Sequence, residues 1–208
     1  MPKYSILLFI VVCFSCQKRI SKDTTVAIQP YAGFSQVKTD SLAQLVEDFY
    51  KVSVEVLEPK EIYKSAFINT KSPRYRADSI IKFQRRDLEK YDFILGLTDK
   101  DISTTKRDKN GAVKEPKYKY QDWGIMGLAY CPGNSCIISS FRLKHRNEAK
   151  YFTRLKKVSI HEFGHNLGLP HCPDKKCVMT DAVESIAPHF SLHCSARLRH
   201  LQYASKKY

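Results

Sequence analysis

Three imidazoles and one carboxylate fall within a single short stretch, His161-Glu162-Phe163-Gly164-His165-Asn166-Leu167-Gly168-Leu169-Pro170-His171. On a helix, His161 and His165 lie four residues apart, so both rings project from one face toward one ion. Glu162 comes directly after the first of them, where its carboxylate can take a proton from a water that the ion activates. Gly168 can adopt the left-handed conformation that ends a helix, which turns the chain back and presents His171 as a third ligand. Three protein ligands leave one tetrahedral position for water, and that position separates a catalytic zinc from a structural one. A solvated helix rich in His and Glu would explain neither the glycine nor the third histidine. A zinc site without chemistry would have no use for Glu162.

Several elements must hold these groups in place. Phe152, Ile160, Phe163 and Leu167 recur at helical spacing, so Glu148–Leu167 reads as an amphipathic helix. Its apolar side faces a core and its histidines face a cleft, while Arg154, Lys156 and Lys157 are expected in solvent. Upstream, Thr25–Gln29 reads as a first strand ended by Pro30. Ser41 is the expected N-cap of a helix over Leu42–Tyr50, and Val52, Val54 and Val56 alternate as a strand. A second helix is expected over Arg76–Lys90, and the apolar run Asp92–Thr98 as a buried strand. Strands alternating with helices imply an α/β N-terminal half with a mostly parallel sheet. Asp99–Asp122 is polar and lysine-rich, with Asn110-Gly111 as a turn signal, and reads as an exposed loop. Strands are expected at Gly124–Tyr130 and Cys136–Leu143.

The H-E-x-x-H-x-x-G-x-x-H spacing is the signature of metzincin zinc peptidases. The residues after His171 narrow the resemblance: Cys172, Cys177 and Met179 give H-C-x-x-x-x-C-x-M, which resembles the archaemetzincins. Leu95-Gly96-Leu97-Thr98-Asp99, Gly127-Leu128-Ala129 and Ser139-Ser140-Phe141-Arg142-Leu143 are similar to sequence that precedes the zinc helix in that family. The resemblance spans roughly Tyr91 to Cys194. It implies an α/β (α+β) metzincin-like zincin domain, with a mixed sheet, an active-site helix and a Met-turn. Met179 would be the apolar floor beneath the catalytic zinc, and Cys172 and Cys177 two ligands of a second, structural zinc. The family's later F-C-x-x-C is altered here to Phe190-Ser191-Leu192-His193-Cys194. The second ion would then need Cys194 with His193, or His189, as fourth ligand. A disulfide between Cys172 and Cys177, leaving Cys194 over, is the open alternative. In metzincins an antiparallel edge strand binds peptide by strand addition, which makes Trp123–Tyr130 or Ser135–Phe141 the expected substrate shelf.

The N-terminus reads as a targeting segment over residues 1–16: Lys3, an apolar stretch from Ile6 to Val12, then Ser15-Cys16. The apolar run is too short to span a bilayer. It looks like a bacterial lipoprotein signal, with Cys16 lipidated, residues 17–24 a polar tether and residues 25–208 a single peptidase domain; an ordinary signal peptide and an uncleaved anchor are the open alternatives. The protein is then expected to be exported and membrane-anchored, where disulfides persist. Cys131, Cys136, Cys172, Cys177 and Cys194 remain, an odd number that excludes full pairing within the chain. Turn residues between Cys131 and Cys136 favour a disulfide-bridged hairpin over a metal pair.

The net charge is +14, yet the basic residues are scattered and follow no helix-turn-helix or RNA-binding pattern, so no nucleic-acid partner is expected. Positive charge suits an anionic membrane surface, and a basic rim would favour acidic peptides. The expected function is a zinc-dependent metallopeptidase acting on short peptides, with aminopeptidase action as the finer reading. The alternatives are a catalytically silent zinc-binding lipoprotein serving as a binding module, and a basic envelope protein that binds a polymer.

Overall fold

The computed structural model describes residues 17–181 and 202–204. In chain order the N-terminal half holds β1 (Gln17–Arg19), β2 (Thr25–Pro30), α1 (Gln36–Tyr50) and β3 (Ser53–Val56). Then come β4 (Phe67–Ile68), β5 (Arg74–Arg76), α2 (Ala77–Gln84) and β6 (Phe93–Thr98). The remainder holds β7 (Ile102–Thr104), α3 (Lys117–Tyr120), β8 (Trp123–Ile125), β9 (Gly127–Ala129), β10 (Ser135–Ser139), α4 (Glu148–Asn166) and β11 (Gln202–Ala204).

The central sheet has five strands in the order β3-β2-β6-β10-β9. All its junctions are parallel except the last, where β9 runs antiparallel to β10. This mixed α/β arrangement bears out the expected fold class and the parallel N-terminal half. β6 is buried along its whole length, as an apolar run between two covered faces must be. Side chains alternate across the sheet. Cys136 and Ile138 of β10 join the core beneath α1 and α4, while Ile137 faces the α2 side with Ile80 and Ile81. Phe163 anchors α4, meeting Tyr50 and Phe93 edge-on at ring separations of 4.9 and 5.3 Å. Burying one such ring contributes about 1.5–3 kcal/mol. A second sheet has the order β4-β5-β7-β8, and β1 pairs with β11.

Several expectations are corrected. α1 starts at Ser35, whose side chain accepts from the Lys38 N–H, while Ser41 lies inside the helix with its hydroxyl on the Val37 carbonyl. The added turns are mostly exposed, so they leave no apolar period to read. α2 ends at Gln84 and tightens into a 3-10 turn over Arg85–Asp87 rather than running to Lys90. The segment 99–122 is not all loop, since β7 is buried at Ile102 and Ser103 and α3 forms near its end. Gly124–Tyr130 is not one strand: β8 pairs with β7 in the second sheet, and β9 pairs with β10 in the first. Lys157 is 8% exposed rather than solvated, and burial lowers its pKa. Among the described residues, no helix is long and apolar enough to cross a membrane.

Candidate metal centre

The last turns of α4 carry the site. Asn147 opens the helix by accepting from the Lys150 N–H at 2.9 Å. Leu155, Ile160 and Phe163 are fully buried against the sheet, which leaves His161 and His165 on another face. The His161 Nδ1 lies 2.8 Å from the Val178 carbonyl, and the His165 Nδ1 lies 2.7 Å from the Leu169 carbonyl. A carbonyl only accepts, so both Nδ1 atoms carry the proton and both Nε2 atoms present a lone pair.

Those lone pairs converge. The His165 Nε2 is 3.0 Å from the His161 Nε2 and 3.2 Å from the His171 Nε2. Tetrahedral zinc with bonds of ~2.0–2.1 Å places its nitrogen ligands roughly 3.3 Å apart. The three rings therefore fit such an ion with small adjustment, and the facing lone pairs of His161 and His165 repel until a cation sits between them. Burial lowers His161 to about 4, outweighing its hydrogen bond to Val178, and burial also lowers His165. Both rings are thus neutral at neutral pH, the form a metal requires. Among the described residues, His161, His165 and His171 are the group that could hold an ion.

Exposed His171 reaches the cluster because the chain reverses at Gly168, whose φ is +85°. The Gly168 N–H closes on the His165 carbonyl at 2.8 Å, and the Leu169 N–H closes on the Gly164 carbonyl at 3.0 Å.

Glu162 is 9% exposed, and burial pushes its carboxyl up to about 8. Its side chain lies against β9: a Cβ added to Gly127 would come within 2.6 Å of both its Cγ and its Oε1. β9 is the last strand of its sheet, with no strand on its outer side among the described residues, whereas β10 lies inside the sheet between β6 and β9. Of the two expected shelves, Ser135–Phe141 has no free edge to offer.

Met179 is buried against the helix that carries His161 and His165, and a Cβ on Gly164 would come within 2.5 Å of its sulfur. The loop carrying it is tied back by the Cys172 N–H on the Met179 carbonyl at 2.8 Å. The same loop supplies the carbonyl that orients His161. Sequence reasoning missed the role of Gly164, although a glycine inside a helix costs about 1 kcal/mol against alanine and so asks for a reason. It missed Asn166 as well: the Asn166 Nδ2 donates to the Ser135 and Tyr130 carbonyls at 3.1 and 3.3 Å, fastening the helix end to the β9–β10 connection. Tyr50 supports the helix from below, donating to the Ile160 carbonyl at 2.7 Å.

The cysteines answer differently. No disulfide joins Cys131 to Cys136, because Cys136 points into the core while Cys131 is exposed with its sulfur 3.5 Å from the Leu169 carbonyl. No disulfide joins Cys172 to Cys177. Ser191, Cys194, His189 and His193 lie outside the described residues, as does Cys16.

A model of Peptidase family M54 matches residues 61–202. The chain belongs to peptidase family M54. It is accordingly a zinc metallopeptidase. An archaemetzincin from Haloquadratum walsbyi is 32% identical over 155 residues, covering 70% of this chain and 79% of the relative. One from Haloarcula marismortui is 31% identical over 154 residues, covering 70% and 79%. Among solved structures, the Archaeoglobus fulgidus archaemetzincin complexed with malonate superposes with a TM-score of 0.59 at 26% identity, covering 76% of this chain and 85% of that one. The Methanopyrus kandleri archaemetzincin shares the fold at a TM-score of 0.63 and 24% identity, covering 91% and 97%.

Proposed function

We propose that this M54 protein hydrolyses short peptides by removing N-terminal residues, with His161, His165 and His171 as zinc ligands and Glu162 as the proton carrier. The observation that carries the reading is the convergence of three Nε2 atoms beside a buried carboxylate, with Nε2 separations of 3.0 and 3.2 Å. Bound there, zinc polarises a carbonyl and lowers the pKa of water toward ~7. The chain's own residues supply the rest. The Val178 and Leu169 carbonyls hold the ligand tautomers, and Met179 gives the cluster an apolar floor. The edge of β9 offers backbone N–H and C=O groups to an extended peptide. Glu162 accepts the proton of the attacking water and returns it to the departing amine; its raised pKa suits the second half of that cycle. The preference for short peptides and free N-termini rests on the resemblance to archaemetzincins. Release of the first residue from a pentapeptide should be abolished by chelator and restored by zinc, and N-acetylation of the peptide should block it. Equal cleavage of acetylated and free peptides would refute the exopeptidase reading.

Two finer assignments accompany it. Cys172 and Cys177, with Cys194 and His193, would hold a second zinc; metal per chain should fall from two to one in Cys172→Ser, and a single zinc in both proteins would refute the second site. Residues 1–16 would direct export, with lipid attached at Cys16. Labelled fatty acid should enter the wild type and not Cys16→Ser; labelling of neither would refute the anchor.

A further inference from the structure

Upstream of the edge strand, the lysine-rich segment folds into an ordered basic surface. Its two limbs are zipped by the Lys106 N–H on the Tyr120 carbonyl at 2.9 Å, and by the Thr105 hydroxyl on the Gln121 carbonyl at 2.9 Å. Between them the Tyr120 and Trp123 rings stack at 5.3 Å. The Lys106 Nζ sits 4.4 Å from the centre of the Trp123 ring, and the Lys119 Nζ sits 5.5 Å from it and 5.3 Å from Tyr120. Lys71 adds a further cation, over the Tyr118 ring at 6.0 Å and donating to the Lys119 carbonyl at 3.3 Å. None of these three ammonium groups pairs with a carboxylate among the described residues. Cations resting on aromatic faces give up little freedom when an anion arrives. Because Lys106 and Tyr120 already occupy the Trp123 ring, the surface suits carboxylates better than stacked nucleobases.

Its position gives it a role. Trp123 lies four residues before Gly127, the glycine that touches Glu162. At ~3.3 Å per extended residue, a peptide paired with β9 and continuing extended toward Trp123 reaches the ladder about four residues from the bond beside Glu162. We infer that Lys106, Lys119 and Lys71 form a subsite for acidic side chains of the peptide substrate about four residues from the cleaved bond. This rests on the peptidase reading and adds the substrate class to it.

Trp123 is the single tryptophan of the chain, so its fluorescence reports on the ladder without any need for turnover. The probes are a hexapeptide with Glu at positions four to six, its Gln counterpart, anionic phosphatidylglycerol vesicles and a single-stranded oligonucleotide. The Glu peptide should quench Trp123 saturably, more weakly as salt rises, and the Gln peptide should not. In Lys106→Gln/Lys119→Gln the Kd should rise about five- to tenfold. The ratio of kcat/KM for the Glu over the Gln peptide should fall by a similar factor. Equal binding of both peptides, an unchanged Kd in the double variant, or a response to vesicles or oligonucleotide alone overturns the inference. Saturable Glu-peptide binding without cleavage leaves the subsite standing and counts against the peptidase reading.

Discussion

Gly127→Ala should disable the enzyme without emptying its metal site. A Cβ at this position comes within 2.6 Å of the Cγ and Oε1 of Glu162 and 2.8 Å of its Cδ, whereas carbon atoms in contact sit at about 3.5–4.0 Å. The overlap is about 1 Å. It involves the Cγ near the root of the side chain, so turning the carboxylate alone does not relieve it. Glu162 must swing as a whole or β9 must move outward. A displacement of that size from productive geometry costs on the order of 10²-fold in rate, or ~2.7 kcal/mol of transition-state stabilisation. The histidines are untouched, so zinc content should equal that of wild type. Steady-state kinetics, with metal analysis on the same preparation, measure both. The effect should vanish in a Glu162→Gln background, because two changes acting through one group are not additive. A kcat within twofold of wild type, or an equal loss in the Glu162→Gln background, would refute the contact argued between the edge strand and the proton carrier.

Glu162→Gln should keep its zinc and lose about 10²–10⁴-fold in kcat; near-normal turnover would remove the assigned role. The same variant isolates a pH effect in chelated protein. Burial raises Glu162 from 4.5 to about 8 in the fold, so the folded state binds a proton that the unfolded state releases. Its contribution to stability is therefore present below about 4.5 and lost as pH rises toward about 8. Denaturant melts should show wild-type stability falling relative to Glu162→Gln across that window, and parallel profiles would contradict it. Gly168→Ala should lower stability by about 1–2 kcal/mol, the cost of a left-handed alanine, and loosen zinc by misplacing His171. Unchanged melting with unchanged zinc affinity would show that the turn tolerates a side chain. In native protein reduced beforehand, a thiol reagent should label exposed Cys131 promptly and buried Cys136 only after unfolding; prompt labelling of both would contradict the placement of Cys136 in the core.

The ligand set was legible because metal binding demands particular residue types at particular spacings, and because Gly168 marks where the helix must stop. β6 and α4 were legible for a related reason: a long apolar run and a sustained helical period leave few alternatives. The first turns of α1 were not, since their exposed residues carry no period and their start depends on the cap at Ser35. β7 is three residues long and polar at Ser103 and Thr104, too short for its burial between strands to appear in composition. The change of sheet between β8 and β9 depends on which neighbours each finds, β7 for one and β10 for the other. Gly127 and Gly164 matter through what presses against them from distant segments, Glu162 and Met179, and spacing along the chain carries no record of either contact.

The most direct measurement is an anomalous-difference map at the zinc edge from crystals of zinc-loaded protein. A peak ~2.0–2.1 Å from the Nε2 atoms of His161, His165 and His171, with the Glu162 carboxylate facing it from the side of Gly127, is the predicted result. Zinc bound in solution but absent from that position, or three rings turned apart around an empty centre, would contradict the account.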